Sequence, residues 1–213
     1  MSWRIECIPR ECDTRAVSAP THPLIEQFLT KLSLQSMEES ERLSTVAQAV
    51  SAIPWGEGRT IEEVLQTRSV GTCTGKHLVL QACLDALGMK WRPVVCTFRW
   101  SEQGLRLPDD CSAILAEGEW RHGHNFIQID SGHGWIDLDV TWDRLLATHG
   151  FRCLPANWNG RESFVGLKTI AERWDGVSIQ EKKKDLIDSL SPALRERRER
   201  FLRLFIGWIA SLR

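Results

Sequence analysis

Apolar residues recur at helical spacing through the first third of the chain. The run from 23 to 29 follows this period and predicts one helix. Ser36 followed by Glu39 has the pattern of a capping box, so a second helix is predicted from Ser36 to about Val50. Before these helices, the segment 5–8 has the composition of a short strand. The N-terminal part is therefore expected to be mostly helical.

The next apolar pattern surrounds a cysteine. Thr60 and Glu63 form another capping-box pattern, which predicts a short helix that ends near Thr67. The segment Cys73–Leu87 is predicted to be one helix with an apolar face. Gly88 suits the position just after the end of this helix, because glycine readily adopts a positive φ.

The middle of the chain changes from a helical period to alternation. Residues 91–98 and 125–129 predict two strands. A turn at 131–134 joins the second strand to an alternating segment at 135–140, which predicts an antiparallel hairpin. Residues 101–119 are polar and are predicted to form a loop. Helices followed by a meander of strands indicate an α+β fold, with the central helix packed on an antiparallel sheet.

The last third of the chain has a polar and helical pattern. A charged stretch at 182–184 opens it, and Pro192 interrupts it. From Leu194 to Arg213 a helix is predicted whose apolar residues lie largely on one face. Residues 180–213 thus form a C-terminal helical extension. Its apolar face is expected to pack on the domain or, in a homodimer, on a second copy of the chain, and a helix at a membrane surface is a further alternative.

Composition narrows the classes of function. The chain has 213 residues, which predicts a single domain over 1–213, and its 42% apolar and 26% charged residues are ordinary for a globular protein. The net charge of −1 gives no reason to expect nucleic acid as a partner. The sequence has neither the pattern of a secretory leader nor an apolar stretch of about 18 residues, so no membrane span is expected. No cofactor and no metal is expected.

Cysteine usage indicates a reducing compartment. No two cysteines have the C-x-x-C spacing of zinc or redox sites, and their odd number disfavours a secreted disulfide framework. We therefore expect a cytoplasmic protein. The seven cysteines are Cys7, Cys12, Cys73, Cys83, Cys96, Cys111 and Cys153.

Cys73 is the candidate nucleophile. It lies in Gly71-Thr72-Cys73-Thr74-Gly75, where a loop enters the predicted central helix. The partial positive charge of a helix N-terminus favours a thiolate, and a backbone N–H at that position can point into an oxyanion site. The two glycines are expected to let the backbone approach the sulfur and to leave room for a substrate carbonyl.

A base and a group to orient it follow along the chain. His124 lies 124 − 73 = 51 residues after Cys73, and Asp139 lies 139 − 124 = 15 residues later on the hairpin partner. Adjacent strands are about 4.8 Å apart, so a His and an Asp on one face come within hydrogen-bond reach. A thiol nucleophile needs a base, and the base needs a group that fixes its tautomer. Asp137 faces the same side as Asp139, so periodicity does not separate them.

Three motifs in this order resemble a known family. The first is a Gly-x-Cys segment that opens a helix, which ends in a Leu-Gly turn before an Arg-bearing strand; a His block and an Asp block follow. In this chain they are Gly71-Thr72-Cys73-Thr74-Gly75-Lys76-His77 with Leu84-Asp85-Ala86-Leu87-Gly88-Met89 and Arg92-Pro93-Val94, then His124-Asn125-Phe126, then Gly134-Trp135 through Asp139 and Thr141. This pattern, over about residues 60–145, is similar to the transglutaminase-like superfamily of papain-like cysteine enzymes.

The resemblance implies a papain-like core and a catalytic triad of Cys73, His124 and Asp139. It selects Asp139 over Asp137, because the family aspartate is followed two residues later by Thr, here Thr141. One position departs from the family. Asn125 follows the histidine, where many members have a small residue and then Trp.

The resemblance implies an enzyme, and several reactions share its first step. The expected function is hydrolysis of an amide bond in a peptide or small acyl substrate through a thioester. One alternative is transfer of the acyl group to an amine, and another is a binding module without catalysis. The oxyanion site is expected to include the Cys73 backbone N–H, and Gln66 or Trp55 are the candidates for the second donor.

Four nearby polar residues have weaker claims. His77 lies one helical turn after Cys73 and is either an alternative base or a packing residue. His122 is expected to be exposed, with a role in substrate binding as the alternative. Lys76 and Arg68 are expected on the solvated surface, and contact with an acidic substrate group is their alternative.

Overall fold

The computed structural model describes residues 21–132 and 134–213. The strand predicted at 5–8, together with Cys7 and Cys12, lies outside the described residues. The helices are α1 (Pro23–Lys31), α2 (Glu39–Ala52), α3 (Cys73–Ala86), α4 (Asp109–Ala116), α5 (Ile179–Asp188) and α6 (Pro192–Ser211). The strands are β1 (Trp91–Phe98), β2 (His122–Asp130), β3 (Trp135–Leu138) and β4 (Glu172–Asp175). The α+β class and the helical N-terminal part are as predicted.

The strands form one antiparallel sheet in the order β3-β2-β1-β4. The hairpin of β2 and β3 was predicted from alternation. In the register of β1 and β2, Cys96 lies opposite His124, and Ile127 of β2 pairs with Leu138 of β3. This register brings the residues just after β3 towards the start of β2, where His124 lies.

Two apolar cores lie against the sheet. Because side chains alternate along a strand, Ile127 and Ile129 of β2 enter one core while Phe126 enters the other. The first core contains buried residues of α2 and α3, such as Val79 and Leu80. The second core contains aromatic side chains of α6 and of the loops. Its buried aromatic members are Trp55, Phe98, Trp100, Trp120, Phe126, Trp142, Phe151, Phe201 and Phe205.

The central helix is formed and ended as predicted. Thr72 is the N-cap of α3, and its hydroxyl accepts a hydrogen bond from the N–H of Gly75. At the other end Gly88 has a φ of 69°, and the N–H of Met89 donates to the carbonyl of Leu84. This is the positive-φ termination that glycine favours.

The start of α2 differs from the prediction. Ser36 and Glu39 do not cap this helix: Ser36 ends a separate 3-10 turn, Leu34–Ser36, and α2 begins at Glu39. The capping box is instead made by Glu38 and Glu41. The 3-10 turn moves the N-cap by two residues, from Ser36 to Glu38, which places a different pair of side chains at the cap positions.

Two elements lie where none was predicted, and one begins earlier than predicted. Helix α4 interrupts the predicted loop 101–119, and β4 lies in the third of the chain that was predicted to be helical. Pro192 begins α6 rather than interrupting a helix, because proline fits the first helical position, where its missing N–H costs no bond. Among the described residues, no helix has the length and apolar character needed to cross a membrane.

The apolar face of α6 packs on the protein's own second core. Phe201, Phe205 and Ile209 are buried, and the Phe205 ring lies 5.2 Å from Trp55 and 4.7 Å from Trp100 between ring centroids. Packing on the protein's own core thus explains the apolar stripe of α6 without a second copy of the chain. A homodimer through this helix stays a prediction, for which exposed residues such as Leu204 would have to serve.

Candidate active site

Cys73 is the first residue of α3, at the position the sequence predicted. Its side chain is half-buried. Because the backbone N–H groups of the first helical turn have no partner within the helix, they give this end a partial positive charge that favours a thiolate. The thiol of Cys73 therefore lies at the end of the central helix that carries this partial positive charge.

The glycines beside Cys73 have a role in packing. A Cβ on Gly75 would lie 2.2 Å from the carbonyl oxygen of Gly58, and one on Gly71 would lie 2.7 Å from Cγ of Lys76. The N–H of Thr72 also donates to the Gly58 carbonyl at 2.8 Å. Gly75 thus allows the loop containing Gly58 to pack closely against the first turn of α3, and Gly71 leaves room for the Lys76 side chain.

His124 and Asp139 meet as predicted. His124 Nε2 lies 2.8 Å from Asp139 Oδ2, and both side chains are buried. With Nε2 engaged, Nδ1 is the ring nitrogen left for Cys73, and the charge of each group shifts the pKa of the other. The three residues therefore form a chain from thiol to imidazole to carboxylate, which is the arrangement of a cysteine nucleophile with an oriented base.

The backbone holds the Asp139 carboxylate in place. Oδ1 accepts a hydrogen bond from the N–H of Thr141 at 3.0 Å, and Oδ2 accepts one from the N–H of Gly166 at 3.1 Å. Asp137 pairs with a different residue, because its carboxylate accepts two hydrogen bonds of 2.7 Å from Arg173 on β4. The structure thus shows that Asp139, and not Asp137, contacts His124, a distinction that periodicity alone does not make.

The three pKa values are shifted in a way that suits an ion pair. Burial raises the pKa of Cys73, but the positive charge of Lys183 and the hydrogen bond from His124 outweigh it and lower the value to about 6. Burial lowers the pKa of His124, but the Asp139 carboxylate outweighs this and raises it to about 9. The pKa of Asp139 stays well below its usual range, because the charge of His124 outweighs the effect of burial. Between about pH 6 and pH 9, thiolate and imidazolium coexist.

His77 is a packing residue in this structure and not a second base. The backbone N–H of Val140 donates to His77 Nε2 at 3.3 Å, so Nε2 has no proton and Nδ1 carries it. Nδ1 then donates to the carbonyl of Cys73 at 2.7 Å. Burial lowers the pKa of His77 to about 4, which keeps the ring neutral. His77 therefore ties the first turn of α3 to the segment that carries Asp139.

Lys76 is buried, so the expectation of a solvated surface was wrong for this residue. Its Nζ donates to the carbonyls of Ser51, Ile53 and Thr141 at 3.0, 2.8 and 2.9 Å. Three acceptors satisfy the three donors of an ammonium group. Lys76 thus joins the end of α2 to the segment after Asp139. Arg68 is exposed and pairs with Glu63, as a surface residue would.

Lys183 of α5 is the site residue that sequence reasoning missed. Its Nζ lies 3.3 Å from Cys73 Sγ, 2.9 Å from Thr74 Oγ1 and 2.5 Å from Asn125 Oδ1. The lysine run at 182–184 was read as a charged stretch. A signal was present, because Ile179, Lys183 and Leu186 share a helical face at i, i+4 and i+7, and the first of them is buried. Only the fold shows what that face covers.

The remaining candidates take other places. Gln66 is exposed in the turn Glu63–Thr67, and no hydrogen bond of its side chain occurs within the described residues. The Trp55 ring packs in the second core, while its backbone bridges to Gly71. His122 is half-buried rather than exposed, and Trp120 Nε1 donates to its Nδ1 at 3.4 Å.

The chain was also compared with known proteins. No family model matches it. No curated protein matches it either. The similarity to the transglutaminase-like superfamily therefore stays a prediction based on the three sequence motifs.

Proposed function

We propose that the protein is a cysteine-dependent enzyme that acts on amide bonds, with a transglutaminase-like, papain-like core. The observation that carries the proposal is the 2.8 Å contact of His124 Nε2 with Asp139 Oδ2, beside a thiol whose pKa is lowered to about 6. A buried imidazole with its carboxylate, next to a half-buried thiol at a helix N-terminus, is the constellation that nucleophilic acyl chemistry requires.

In the proposed reaction the Cys73 thiolate attacks the carbonyl carbon of an amide. A C–S bond forms, and the carbonyl π electrons move to oxygen. When the carbonyl re-forms, the C–N bond breaks and the leaving amine takes a proton from His124. Asp139 keeps the imidazole oriented and stabilises its positive charge. Water, activated by the now neutral His124, then releases the acyl group and restores the thiol.

A panel of electrophilic amide mimics, read by intact mass, tests this function. We expect one covalent adduct, located on Cys73, and a mimic that labels fastest should report the class of acyl group. Cys73→Ala should remove both the adduct and turnover while the unfolding transition stays close to that of the wild type. Labelling of a different residue, or turnover in Cys73→Ala, would refute the proposal.

One observation favours acyl transfer to an amine as the second candidate. Helix α5 covers the start of β2, since a Cβ on Gly123 would lie 3.3 Å from Leu186 Cδ1, and Lys183 reaches the nucleophile. Cover of this kind limits the access of water to a thioester. Decay of the trapped acyl-enzyme with and without added amines separates the candidates. Faster decay with an amine supports transfer, and decay independent of amines supports hydrolysis.

The third reading, a binding module without catalysis, predicts an unreactive Cys73. The lowered pKa of this thiol supports the enzymatic readings instead, because it makes the sulfur a thiolate at neutral pH. Rapid alkylation of Cys73 at pH 7 is expected for an enzyme, and alkylation only above about pH 8.5 is expected for an unperturbed thiol.

A further inference from the structure

Lys183 contributes a positive charge to the site from outside the region that carries the family resemblance. It lies on α5, 183 − 73 = 110 residues after Cys73. Its Nζ has three close neighbours that can accept hydrogen bonds: Cys73 Sγ, Thr74 Oγ1 and Asn125 Oδ1. An ammonium has three protons, so each acceptor can receive one.

The side-chain oxygens hold this ammonium beside the sulfur. Thr74 Oγ1 also donates to Asn125 Oδ1 at 2.9 Å, so Thr74, Asn125 and Lys183 form a closed set of contacts. The Asn125 side chain is fully buried, and two donors converge on its Oδ1. Asn125 stands where many members of the resembled family have a small residue, and its amide oxygen supplies the acceptor that Lys183 and Thr74 use.

We propose that Lys183 is a catalytic residue of the proposed reaction, whose ammonium donates a hydrogen bond to the oxyanion formed when Cys73 attacks the substrate carbonyl. This role rests on the proposed function. It adds Lys183 to the Cys73 backbone N–H and replaces Gln66 or Trp55 as the second donor.

The geometry suits a donor whose acceptor changes during the reaction. In the resting state one Nζ proton faces the thiolate across 3.3 Å. When the sulfur bonds to carbon it loses its negative charge, and that charge appears on the carbonyl oxygen, which is attached to the same carbon. The proton can then move its hydrogen bond from sulfur to oxygen while Thr74 and Asn125 keep the other two. The ammonium keeps all its protons throughout.

A donor fixed before the reaction is worth more than one that must reorient, because the site does not reorganise as charge moves. Loss of one oxyanion donor typically lowers the rate about 10²–10³-fold. Lys183 also lowers the pKa of Cys73, so its removal acts on two quantities that have to be measured separately.

Two reagents separate the effect of Lys183 on the Cys73 pKa from its effect on the oxyanion. Iodoacetamide alkylates a thiolate by displacement at carbon and forms no oxyanion, whereas 4-nitrophenyl acetate acylates through one. Both rates are measured from pH 5 to pH 10 at the Cys73 peptide, in the wild type and in Lys183→Met. We expect the alkylation inflection to move up from about pH 6 with its plateau changed less than about threefold, and the acylation plateau to fall about 10²–10³-fold.

Matched variants complete the test. Lys184→Met removes the neighbouring charge, which is exposed and pairs with Asp188, and should change neither plateau. Lys183→Arg keeps a positive charge and should retain part of the acylation rate. Lys183→Gln serves in place of Lys183→Met if the latter does not fold, and the same losses are expected.

Each further outcome has one meaning. An acylation plateau that is unchanged or faster in Lys183→Met would overturn the catalytic role, and a faster one would show that Lys183 blocks the substrate. If the wild type is alkylated at Cys73 but never acylated, the proposed function and the role of Lys183 both fail. If the wild type is acylated and only the plateau prediction fails, the proposed function stands without Lys183.

Discussion

Replacement of Asp139 by Asn is the sharpest test of how the site is built. The variant keeps the shape of the side chain but removes its charge and converts one acceptor oxygen into a donor NH₂ group. Both carboxylate oxygens accept backbone hydrogen bonds, from Thr141 and from Gly166. Either orientation of the new amide therefore places an NH₂ group against a backbone N–H, and one of these donors loses its acceptor.

The expected loss of stability follows from these contacts. An orphaned buried donor costs about 1–3 kcal/mol. In addition, the pKa of His124 is raised from 6.5 to about 9. Such a raised value corresponds to about 3 kcal/mol of folding free energy, present in full below about pH 6.5 and lost as the pH rises through about 9. Asp139→Asn should therefore differ most from the wild type below neutral pH, and the difference should shrink above pH 9.

Reactivity should change together with stability. Without the carboxylate, burial keeps the pKa of His124 low, so the imidazolium that stabilises the Cys73 thiolate is lost. At pH 7 a thiol of pKa about 6 is roughly 90% thiolate, and a rise of two pKa units lowers that fraction about tenfold. Turnover should fall further, by about 10²–10⁴-fold, because His124 also has to protonate the leaving group.

Urea unfolding and iodoacetamide alkylation measure these effects between pH 5 and pH 10. Asp137→Asn is the matched control, since this aspartate lies two residues away and pairs with Arg173 rather than with His124. It should keep the wild-type pH profile of alkylation. An Asp139→Asn protein whose Cys73 is alkylated at pH 7 as fast as in the wild type would refute the assignment of Asp139.

Three further predictions follow from the same contacts. The rate of wild-type acylation by an amide should be bell-shaped in pH with limbs near 6 and 9, because Cys73 must lose a proton and His124 must keep one for the leaving amine, as stopped-flow assays would show. Lys76→Met should lower the free energy of unfolding in urea by about 1–3 kcal/mol, because three backbone carbonyls lose their donor. Gly75→Ala should lower it by about 1–3 kcal/mol in the same assay, because the new methyl group collides with the Gly58 carbonyl.

Each of these predictions has its own control. A sigmoidal profile without the alkaline limb would contradict the role of His124 as the acid. Lys90→Met replaces an exposed lysine and should change stability by less than about 0.5 kcal/mol, so an equal loss in both lysine variants would rule out the buried network as the cause. Gly207→Ala has open space around it within α6 and should be stabilising, by up to about 1 kcal/mol.

Local patterns predicted those parts of the fold whose stabilising contacts are close in sequence. The Cys73–Leu87 helix and Gly88 follow from spacing of 3.6 residues and from the backbone freedom of glycine, and both are observed almost to the residue. Strand β4 was missed because three of its four residues are charged and exposed, and the single half-buried Trp174 gives no apolar alternation. This strand forms because the edge of β1 offers it backbone partners, which is information from distant parts of the chain.

In the candidate site, too, some residues were predicted from local motifs, while others could be found only from the fold. Cys73, His124 and Asp139 were found from motifs whose order suits the chemistry, and the structure brings them together. Lysine gives no comparable signal, because a charged side chain is usually solvated and burial of its ammonium depends on acceptors elsewhere in the fold. The Nζ of Lys76 donates to three backbone carbonyls, and the Nζ of Lys183 contacts a thiol and two side-chain oxygens.

The contacts of the buried Lys76 and the half-buried Lys183 have different consequences for function. The partners of Lys76 are carbonyls whose charge does not change, so this residue can only hold the fold together. One partner of Lys183 is the Cys73 sulfur, which in the proposed reaction loses its charge, so the hydrogen bond from Lys183 would then need another acceptor. The developing oxyanion is the nearest new negative charge, one bond beyond the carbon that the sulfur attacks. If Cys73 reacts as proposed, Lys183, held beside the sulfur by two neutral oxygens, can pass its hydrogen bond from the sulfur to the oxyanion.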